Sequence, residues 1–185
     1  VRKVWQELRH QEIAVGRDQV ARLMRRAGLQ GRRRQRRITT TLPNPGVTRS
    51  PDLVQREWCR EAPDVVWVSD FTHVPSREGT VYVSFLQDGF SRRILGFTVA
   101  TSKSTELVTK ALDQALSVRK RSNPLFTGEG VILHSDAGSQ YTSLAFSQKL
   151  LDNEILGSIG RVGTAYDNAL MESTIGLYKT ELIYV

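Results

Sequence analysis

The sequence holds one cysteine, Cys59, in 185 residues, and aromatic residues make up only 8% of it. One cysteine excludes a disulfide within the chain and a metal site built from cysteines alone. The longest strongly apolar stretches have the length of a strand, as in Val81–Leu86, and none approaches the ~18 residues of a membrane span. The first residues contain no apolar segment of the signal-peptide type. We therefore expect a soluble, reduced, intracellular protein.

Positive charge is concentrated at the N-terminus. The net charge of the chain is +7. Residues 1–37 contain twelve arginines and lysines against three acids, a balance of +9, so residues 38–185 carry 7 − 9 = −2. A basic arm joined to a nearly neutral body indicates a polyanionic partner, most simply nucleic acid. Eleven of the twelve cations are arginine, which forks onto phosphate better than lysine does. The alternative is a solvated basic terminus.

The basic segment, residues 1–37, is predicted to form two short helices and then a run of arginines. Apolar residues at helical spacing predict both helices, and Gly16 lies in the break between them. Three cations of the second helix, Arg22, Arg25 and Arg26, are expected opposite its apolar stripe. This arrangement suits a small helix-turn-helix-like DNA-binding element, and a helical hairpin that caps the main domain fits the pattern about equally well. The predicted DNA-binding residues are these three and Arg32, Arg33, Arg34, Arg36 and Arg37.

A linker, residues 38–60, is predicted after the basic run because half of the six prolines fall in it, at Pro43, Pro45 and Pro51. The body then spans residues 61–185. Its strands and helices alternate in a pattern that predicts a mixed α/β fold, a five-stranded sheet with helices on both faces. The predicted strands are Val65–Phe71, Val81–Gln87, Ile94–Ala100, Val131–Leu133 and Ile155–Ile159. The predicted helices are Ser104–Val118, Leu144–Leu151 and a last one that begins near Asp167 or Asn168.

Three acids stand where this topology would place a site. Asp70 is predicted at the end of the first strand, Asp136 just after the fourth, and Glu172 one turn into the last helix. Carboxylates ~4 Å apart repel by about 4 kcal/mol at an effective dielectric near 20, and a divalent cation removes that cost. Zinc fits poorly because the three histidines are scattered. Any one acid alone is more simply a helix cap or an exposed charge.

Other charged and titratable residues of the body have simpler interpretations. Asp64 and Asp88 are expected to be surface or turn charges, in common with Asp113, Asp152 and Glu154. His134 lies two residues before Asp136 and is expected to be a packed histidine at a strand end.

The acidic blocks carry a resemblance that covers nearly the whole chain. Trp67–Thr72 (WVSDFT), His134–Tyr141 (HSDAGSQY) and Tyr166–Ser173 (YDNALMES) are similar to the three acidic blocks of insertion-sequence transposases of the IS-three type. That family belongs to the retroviral-integrase superfamily. Thirty-five residues separate Asp136 from Glu172, as in its D,D-35-E pattern. The N-terminal segment resembles the family's helical DNA-binding segment.

The resemblance implies an RNase H-like catalytic core and a transposase that cleaves DNA strands and transfers them. It implies Asp70, Asp136 and Glu172 as both catalytic residues and metal ligands, with Mg²⁺ or Mn²⁺ as the cofactor and two ions in the site. Asn168 and Lys179 match positions that meet the DNA end, although Lys179 is alternatively a solvated charge near a helix end. Implied partners are double-stranded DNA, further copies of the chain and the upstream-frame protein, in the bacterial cytoplasm at the nucleoid.

The chain also differs from the family pattern, because the family's further C-terminal stretch is not in this sequence. The sequence is therefore interpreted as a fragment or degenerate copy of the second reading frame. Two alternatives to an active transposase stay open. One is a catalytically incomplete remnant that only binds DNA, and the other is an RNase H-like nuclease without strand transfer.

Overall fold

The computed structural model describes residues 1–29, 50–55, 57, 60–160 and 168–184. The chain divides into two compact units, Val1–Thr40 and Thr41–Val185. Most of the predicted linker lies outside the described residues, and so do five of the predicted DNA-binding residues, namely Arg32, Arg33, Arg34, Arg36 and Arg37.

The N-terminal unit contains two helices, α1 (Arg2–His10) and α2 (Arg17–Arg26), which confirms the two predicted there. The indole of Trp5 on α1 donates a hydrogen bond to the carbonyl of Val15 at 2.9 Å, just before α2 begins. Val20 of α2 is 2% exposed. The two helices are therefore held by one buried apolar side chain and by the indole bond.

A mixed five-stranded sheet forms the centre of the second unit. Its order is β3-β2-β1-β4-β5, in which the first three strands pair antiparallel, while β4 runs parallel to both β1 and β5. The strands are β1 (Val66–Ser76), β2 (Gly79–Asp88), β3 (Ile94–Ala100), β4 (Ile132–Ser135) and β5 (Leu156–Ile159). All five correspond to predicted strands.

Helices cover both faces of this sheet, as predicted. They are α3 (Thr105–Ser122), α4 (Leu144–Asp152) and α5 (Ala169–Tyr178), and a π-helical turn, Lys179–Ile183, continues α5. Ser143 caps α4 by accepting a hydrogen bond from the amide of Phe146 at 3.3 Å. No helix in the described part of the chain is both long and apolar enough to cross a membrane.

Alternation along β1 sends its side chains into two separate cores. Trp67 packs with residues of α3 and α4 on one face. Val66 and Val68 pack on the other face with Met171 of α5 and with Val54, a residue of the predicted linker. Even-numbered positions of β1 therefore face α5, and Asp70 is one of them.

Two sequence expectations are wrong in this unit. Asp70 does not end its strand, because β1 continues to Ser76 by pairing with β2 as far as Gly79. Asp64 and Asp88 are not simple surface charges. Asp88 is fully buried, and the guanidinium of Arg119 lies 2.6 Å from Asp64 and 3.8 Å from Asp88.

Candidate active site

Two of the predicted acids lie on neighbouring segments of the sheet, Asp70 on β1 and Asp136 directly after β4. The parallel pairing of β1 and β4 joins Val66 to Ile132 and Val68 to His134, an offset of 134 − 68 = 66 residues. Continued by two residues, the same offset places Asp70 opposite Asp136, since 70 + 66 = 136. Neighbouring strands are about 4.8 Å apart, and side chains level with each other lie on one face. The topology therefore brings these two carboxylates together.

A buried tyrosine ties the two acid-bearing segments to each other. Tyr141, in the loop after Asp136, is 3% exposed, and its hydroxyl lies 3.0 Å from the hydroxyl of Ser69. Ser69 donates its own proton to the carbonyl of Phe85 at 3.0 Å, so Tyr141 is the donor in the first bond. Because Ser69 directly precedes Asp70, this pair of bonds fixes the Asp136 loop against the strand that carries Asp70.

Both carboxylates affect the electrostatics of that tyrosine. Burial raises the pKa of the Tyr141 phenol well above its ordinary value of 10.0, and the negative charges of Asp70 and Asp136 raise it further. The Ser69 hydroxyl, which can turn to donate to the ionised phenol, acts in the opposite direction, and burial prevails. The phenol is therefore a neutral hydrogen-bond donor beneath the two acids.

Local hydrogen bonds shape the loop that carries Asp136. The carboxylate accepts a bond from the amide of Gly138 at 3.1 Å. A Cβ on Gly138 would lie 3.0 Å from that same carboxylate, so a side chain there would crowd it. Gln140, in the same loop, donates to the carbonyl of Lys103 at 2.7 Å. The loop is thus bonded on both sides of the glycine.

Helix α5 brings the third acid over the same strand. Asn168, at the start of the helix, is 9% exposed and donates through Nδ2 to the carbonyl of Ser69 at 3.3 Å. Two residues beyond Glu172, the hydroxyl of Thr174 donates to Gln87 of β2 at 2.7 Å. Glu172 lies between these two attachments, and its side chain is half-buried. Ser69 is therefore bonded both to the Asp136 loop and to the start of the helix that carries Glu172.

The predicted basic position lies beside the same strand. Lys179 is half-buried at the start of the π-helical turn. Burial lowers the pKa of its ammonium group, and the charge of Asp70 opposes that shift. Lys179 is thus close enough to Asp70 for the two charges to interact.

The donor set fits a hard divalent cation in part. Two aspartates, one on β1 and one directly after β4, offer the oxygen ligands that Mg²⁺ prefers, and Mg²⁺ is usually held by one or two protein carboxylates. Within the described ranges, no three histidine, cysteine, aspartate or glutamate side chains form a group that could hold a metal ion. Helix α5 therefore holds Glu172 over the sheet, but among the described residues Glu172 does not form a three-ligand group with the two aspartates.

The remaining site predictions have different outcomes. His134 is buried, as expected, and its Nδ1 shares a hydrogen bond with the hydroxyl of Ser158 at 2.9 Å. Arg22, Arg25 and Arg26 are exposed on α2 of the N-terminal unit. Sequence reasoning missed the role of Tyr141, although it stands within the second acidic block.

Comparison with known proteins identifies the family. Residues 60–165, more than half of the chain, match the family described as integrase core domain. The chain belongs to the integrase core family. Residues 1–37 match the family described as HTH-like domain.

Relatives of this integrase core are insertion-sequence proteins. It is 46% identical over 182 residues to "Putative transposase for insertion sequence element IS986/IS6110" of Mycobacterium tuberculosis, covering 98% of this chain and 65% of that protein. It is 44% identical over 184 residues to "Transposase for insertion sequence element IS629" of Shigella sonnei, covering 100% of this chain and 60% of that protein. The chain thus spans slightly less than two thirds of the length of these relatives.

A solved structure confirms the fold. A chain of the simian T-cell lymphotropic virus intasome, determined in complex with a regulatory subunit of PP2A, superposes with a TM-score of 0.56 at 20% identity. The match covers 74% of this chain and 45% of that one. The predicted RNase H-like architecture, with its sheet flanked by helices, is therefore the integrase-core fold.

Proposed function

We propose that this chain is the catalytic part of a DNA transposase that cleaves DNA strands and transfers them during the movement of an insertion sequence. The proposal is supported by the β1–β4 register, which directs Asp136 towards Asp70, and by the Tyr141–Ser69 hydrogen bond between the two acid-bearing segments. The names of the relatives agree with this chemistry.

Each acid has a role in the proposed reaction. Asp70 and Asp136 would hold the metal, and Glu172 of α5 would be the third ligand. Bound Mg²⁺ or Mn²⁺, as two ions, supplies activation of the attacking oxygen and stabilisation of the leaving one. Hydrolysis of a phosphodiester at the element's end forms a bond from water oxygen to phosphorus and releases a 3′-hydroxyl. That hydroxyl then attacks a second phosphodiester, and an equivalent 3′-hydroxyl leaves.

The DNA contacts are assigned to both units. Lys179, beside Asp70, is proposed to contact the DNA end. Asn168, at the start of α5, is proposed to meet the DNA end as well. In the N-terminal unit, Arg22, Arg25 and Arg26 are proposed to bind phosphates, together with the arginines of residues 32–37.

The wider assignments follow the same proposal. We divide the chain into a DNA-binding segment (1–37), a linker (38–60) and a catalytic core (61–185). The proposed partners are double-stranded DNA at the element ends and target, further copies of the chain and the upstream-frame protein. The proposed location is the bacterial cytoplasm, in association with the nucleoid.

A DNA-binding remnant without catalysis is the second candidate. The observation in its favour is that the described residues form no three-ligand metal group. Metal binding separates the two candidates, since a remnant needs no assembled pair of carboxylates.

The test is a calorimetric Mn²⁺ titration of the chain beside Asp136→Asn, followed by a nicking assay on end-labelled element DNA. Asp113→Asn is the matched control, because Asp113 is exposed on α3 and pairs with Lys149 at 2.6 Å. We expect Mn²⁺ binding and nicking by the parent and by the control, and neither by Asp136→Asn. Equal, weak binding by all three proteins would favour the DNA-binding remnant.

A further inference from the structure

The turn between β2 and β3, residues 88–93, is held by an unusually complete set of hydrogen bonds. The amide of Asp88 donates to the carbonyl of Arg93, and the amide of Arg92 donates to the carbonyl of Asp88, both at 3.0 Å. The carboxylate of Asp88 accepts from the amide of Ser91 at 2.8 Å. Arg92 has a φ of 62°, a conformation that a non-glycine residue adopts only when its surroundings hold it there. The turn is therefore rigid.

The last turn of α3 lies against this rigid turn. Arg119 points inward to Asp64 and Asp88, and thereby neutralises the buried acids of the region. Arg121 lines the same surface groove as Ile94, the first residue of β3. The end of α3 thus contacts the β2–β3 turn through Arg119 and lies beside the start of β3 through Arg121.

Four exposed cations lie on the β2–β3 turn and on the last turn of α3, and we call them the basic turn patch: Arg92, Arg93, Lys120 and Arg121. None of them forms an ion pair with any residue that the structure describes. Other cations of α3 and α4 are paired. Lys110 lies 2.7 Å from Glu106, and Lys149 lies 2.6 Å from Asp113. The unpaired positive charge is notable because residues 38–185 carry a net charge of 7 − 9 = −2.

The patch is linked to the candidate active site through one buried side chain. Gln87, 3% exposed, donates to the carbonyl of Arg92 at 2.7 Å and accepts from Thr174 of α5 at the same distance. Along β2, the turn begins at Asp88, three residues from Phe85, the partner of Asp70, which is about 10 Å at ~3.4 Å per residue. The first cation of the patch, Arg92, lies four residues further along the chain. Duplex DNA carries one phosphate charge per ~1.7 Å of its axis, so a duplex that reaches the site presents several phosphates within that distance.

We propose that the basic turn patch is a second DNA-binding surface, on the catalytic unit itself, that holds the phosphate backbone of duplex DNA irrespective of sequence. Unpaired cations on a rigid turn and a helix end require little reorganisation to bind phosphate, and three of the four are arginine. Through Gln87, DNA on this surface has a fixed position relative to the helix that carries Glu172. The inference rests on the proposed function, since it takes DNA as the ligand of the chain.

The test measures the salt dependence of affinity for a fluorescent, non-specific DNA duplex, using the full chain. The test variant replaces all four cations, with Arg92→Asn because asparagine tolerates the left-handed conformation, and with glutamine at the other three positions. Two double variants test the two halves of the patch separately: Arg92→Asn/Arg93→Gln in the turn and Lys120→Gln/Arg121→Gln on α3. The control is Arg77→Gln/Lys110→Gln, which removes the same charge as each double variant. Arg77 lies at the opposite end of the β1–β2 hairpin, and Lys110 is paired with Glu106 on α3. Circular dichroism checks that every variant is folded.

We expect the slope of log affinity against log salt to flatten by about 0.9 for each phosphate that a variant no longer neutralises, up to roughly 3.6 in the quadruple variant. Each double variant of the patch should flatten it by about half as much, and the control should leave it unchanged. An unchanged slope in the folded quadruple variant, or equal flattening by the control and the patch doubles, would overturn the patch and leave the proposed function standing. Absence of salt-dependent binding by the parent would overturn both.

Discussion

The three acids of the candidate site are held in two different ways. Asp70 and Asp136 are placed by backbone, through the register of two parallel strands, and the Tyr141–Ser69 hydrogen bond reinforces that placement. Glu172 is placed by a helix that packs against the sheet through Met171 and is bonded to it by the side chains of Asn168 and Thr174. Register is fixed once the sheet forms, whereas a docked helix shifts with its contacts. We therefore expect the aspartate pair to be pre-formed and the third acid to depend on the packing of its helix.

The largest expected effect comes from Glu172→Gln. If the aspartate pair is pre-formed, the variant should retain most of the parent's Mn²⁺ affinity and yet lose more than the ~10–100-fold in nicking rate that substitutions around a metal site usually cost. Calorimetry and a nicking time course on the same preparation measure both quantities. Asp136→Asn is the reference, since it should lose both. If Glu172→Gln lost Mn²⁺ binding as completely as Asp136→Asn, the three acids would bind the metal as one unit. The aspartate pair would then not be a separate, pre-formed metal site.

A smaller effect is expected at the attachment of α5, from Asn168→Ala. Loss of the bond to Ser69 frees the start of the helix, so nicking should fall about 10–100-fold while Mn²⁺ affinity stays near that of the parent. The free energy of unfolding should fall by about 0.5–1.5 kcal/mol, as for one hydrogen bond. Urea melts measure the stability difference.

Asn168→Asp tests the same attachment with a side chain of nearly the same size. The aspartate retains the acceptor oxygens but has no Nδ2 donor for Ser69. Ser173→Ala is the control on the same helix, because the Ser173 hydroxyl is exposed and bonds only within the helix, to Ala169. If Asn168→Asp and Asn168→Ala nick at the rate of the Ser173→Ala control, the attachment does not position Glu172.

The aspartate pair itself is tested by Tyr141→Phe. The substitution removes one donor and leaves Ser69 bonded to Phe85, so the free energy of unfolding should fall by about 1 kcal/mol. We expect Mn²⁺ affinity to fall about tenfold, because the Asp136 loop is no longer fixed to β1. Tyr82→Phe is the matched control on β2, since no hydrogen bond from the Tyr82 hydroxyl to a described residue is seen. If Tyr141→Phe bound Mn²⁺ as tightly as Tyr82→Phe does, the strand register alone would fix the positions of Asp70 and Asp136.

Much of this architecture follows from local patterns in the sequence. Periodicity and turn residues predict every strand and helix of the body, and the acidic blocks predict which acids to examine. The errors concern partners distant in sequence. Asp88 is predicted in a turn and lies at one, but its burial depends on Arg119 of a helix that packs beside it. The Tyr141–Ser69 hydrogen bond could not be predicted either, because the sequence does not indicate which strand the Tyr141 hydroxyl will contact.

The smallest expected effect concerns pH and the same buried phenol. Burial holds the pKa of Tyr141 well above 10.0 in the folded chain, whereas the unfolded phenol titrates near its ordinary value of about 10. Unfolding above that pH therefore releases a proton, and stability falls as pH rises. Below the unfolded pKa the phenol is protonated in both states, and its contribution is constant. The stability difference between the parent and Tyr141→Phe should thus stay level up to about pH 9.5 and then shrink, by at most ~1.4 kcal/mol per pH unit.

Urea melts between pH 8 and 11 measure this stability difference, and the difference between the parent and Tyr82→Phe should show no such decline. A parent-minus-Tyr141→Phe difference that stays constant to pH 11 would mean that the phenol ionises as freely in the folded chain as in the unfolded one, which is incompatible with a neutral donor buried beneath two carboxylates.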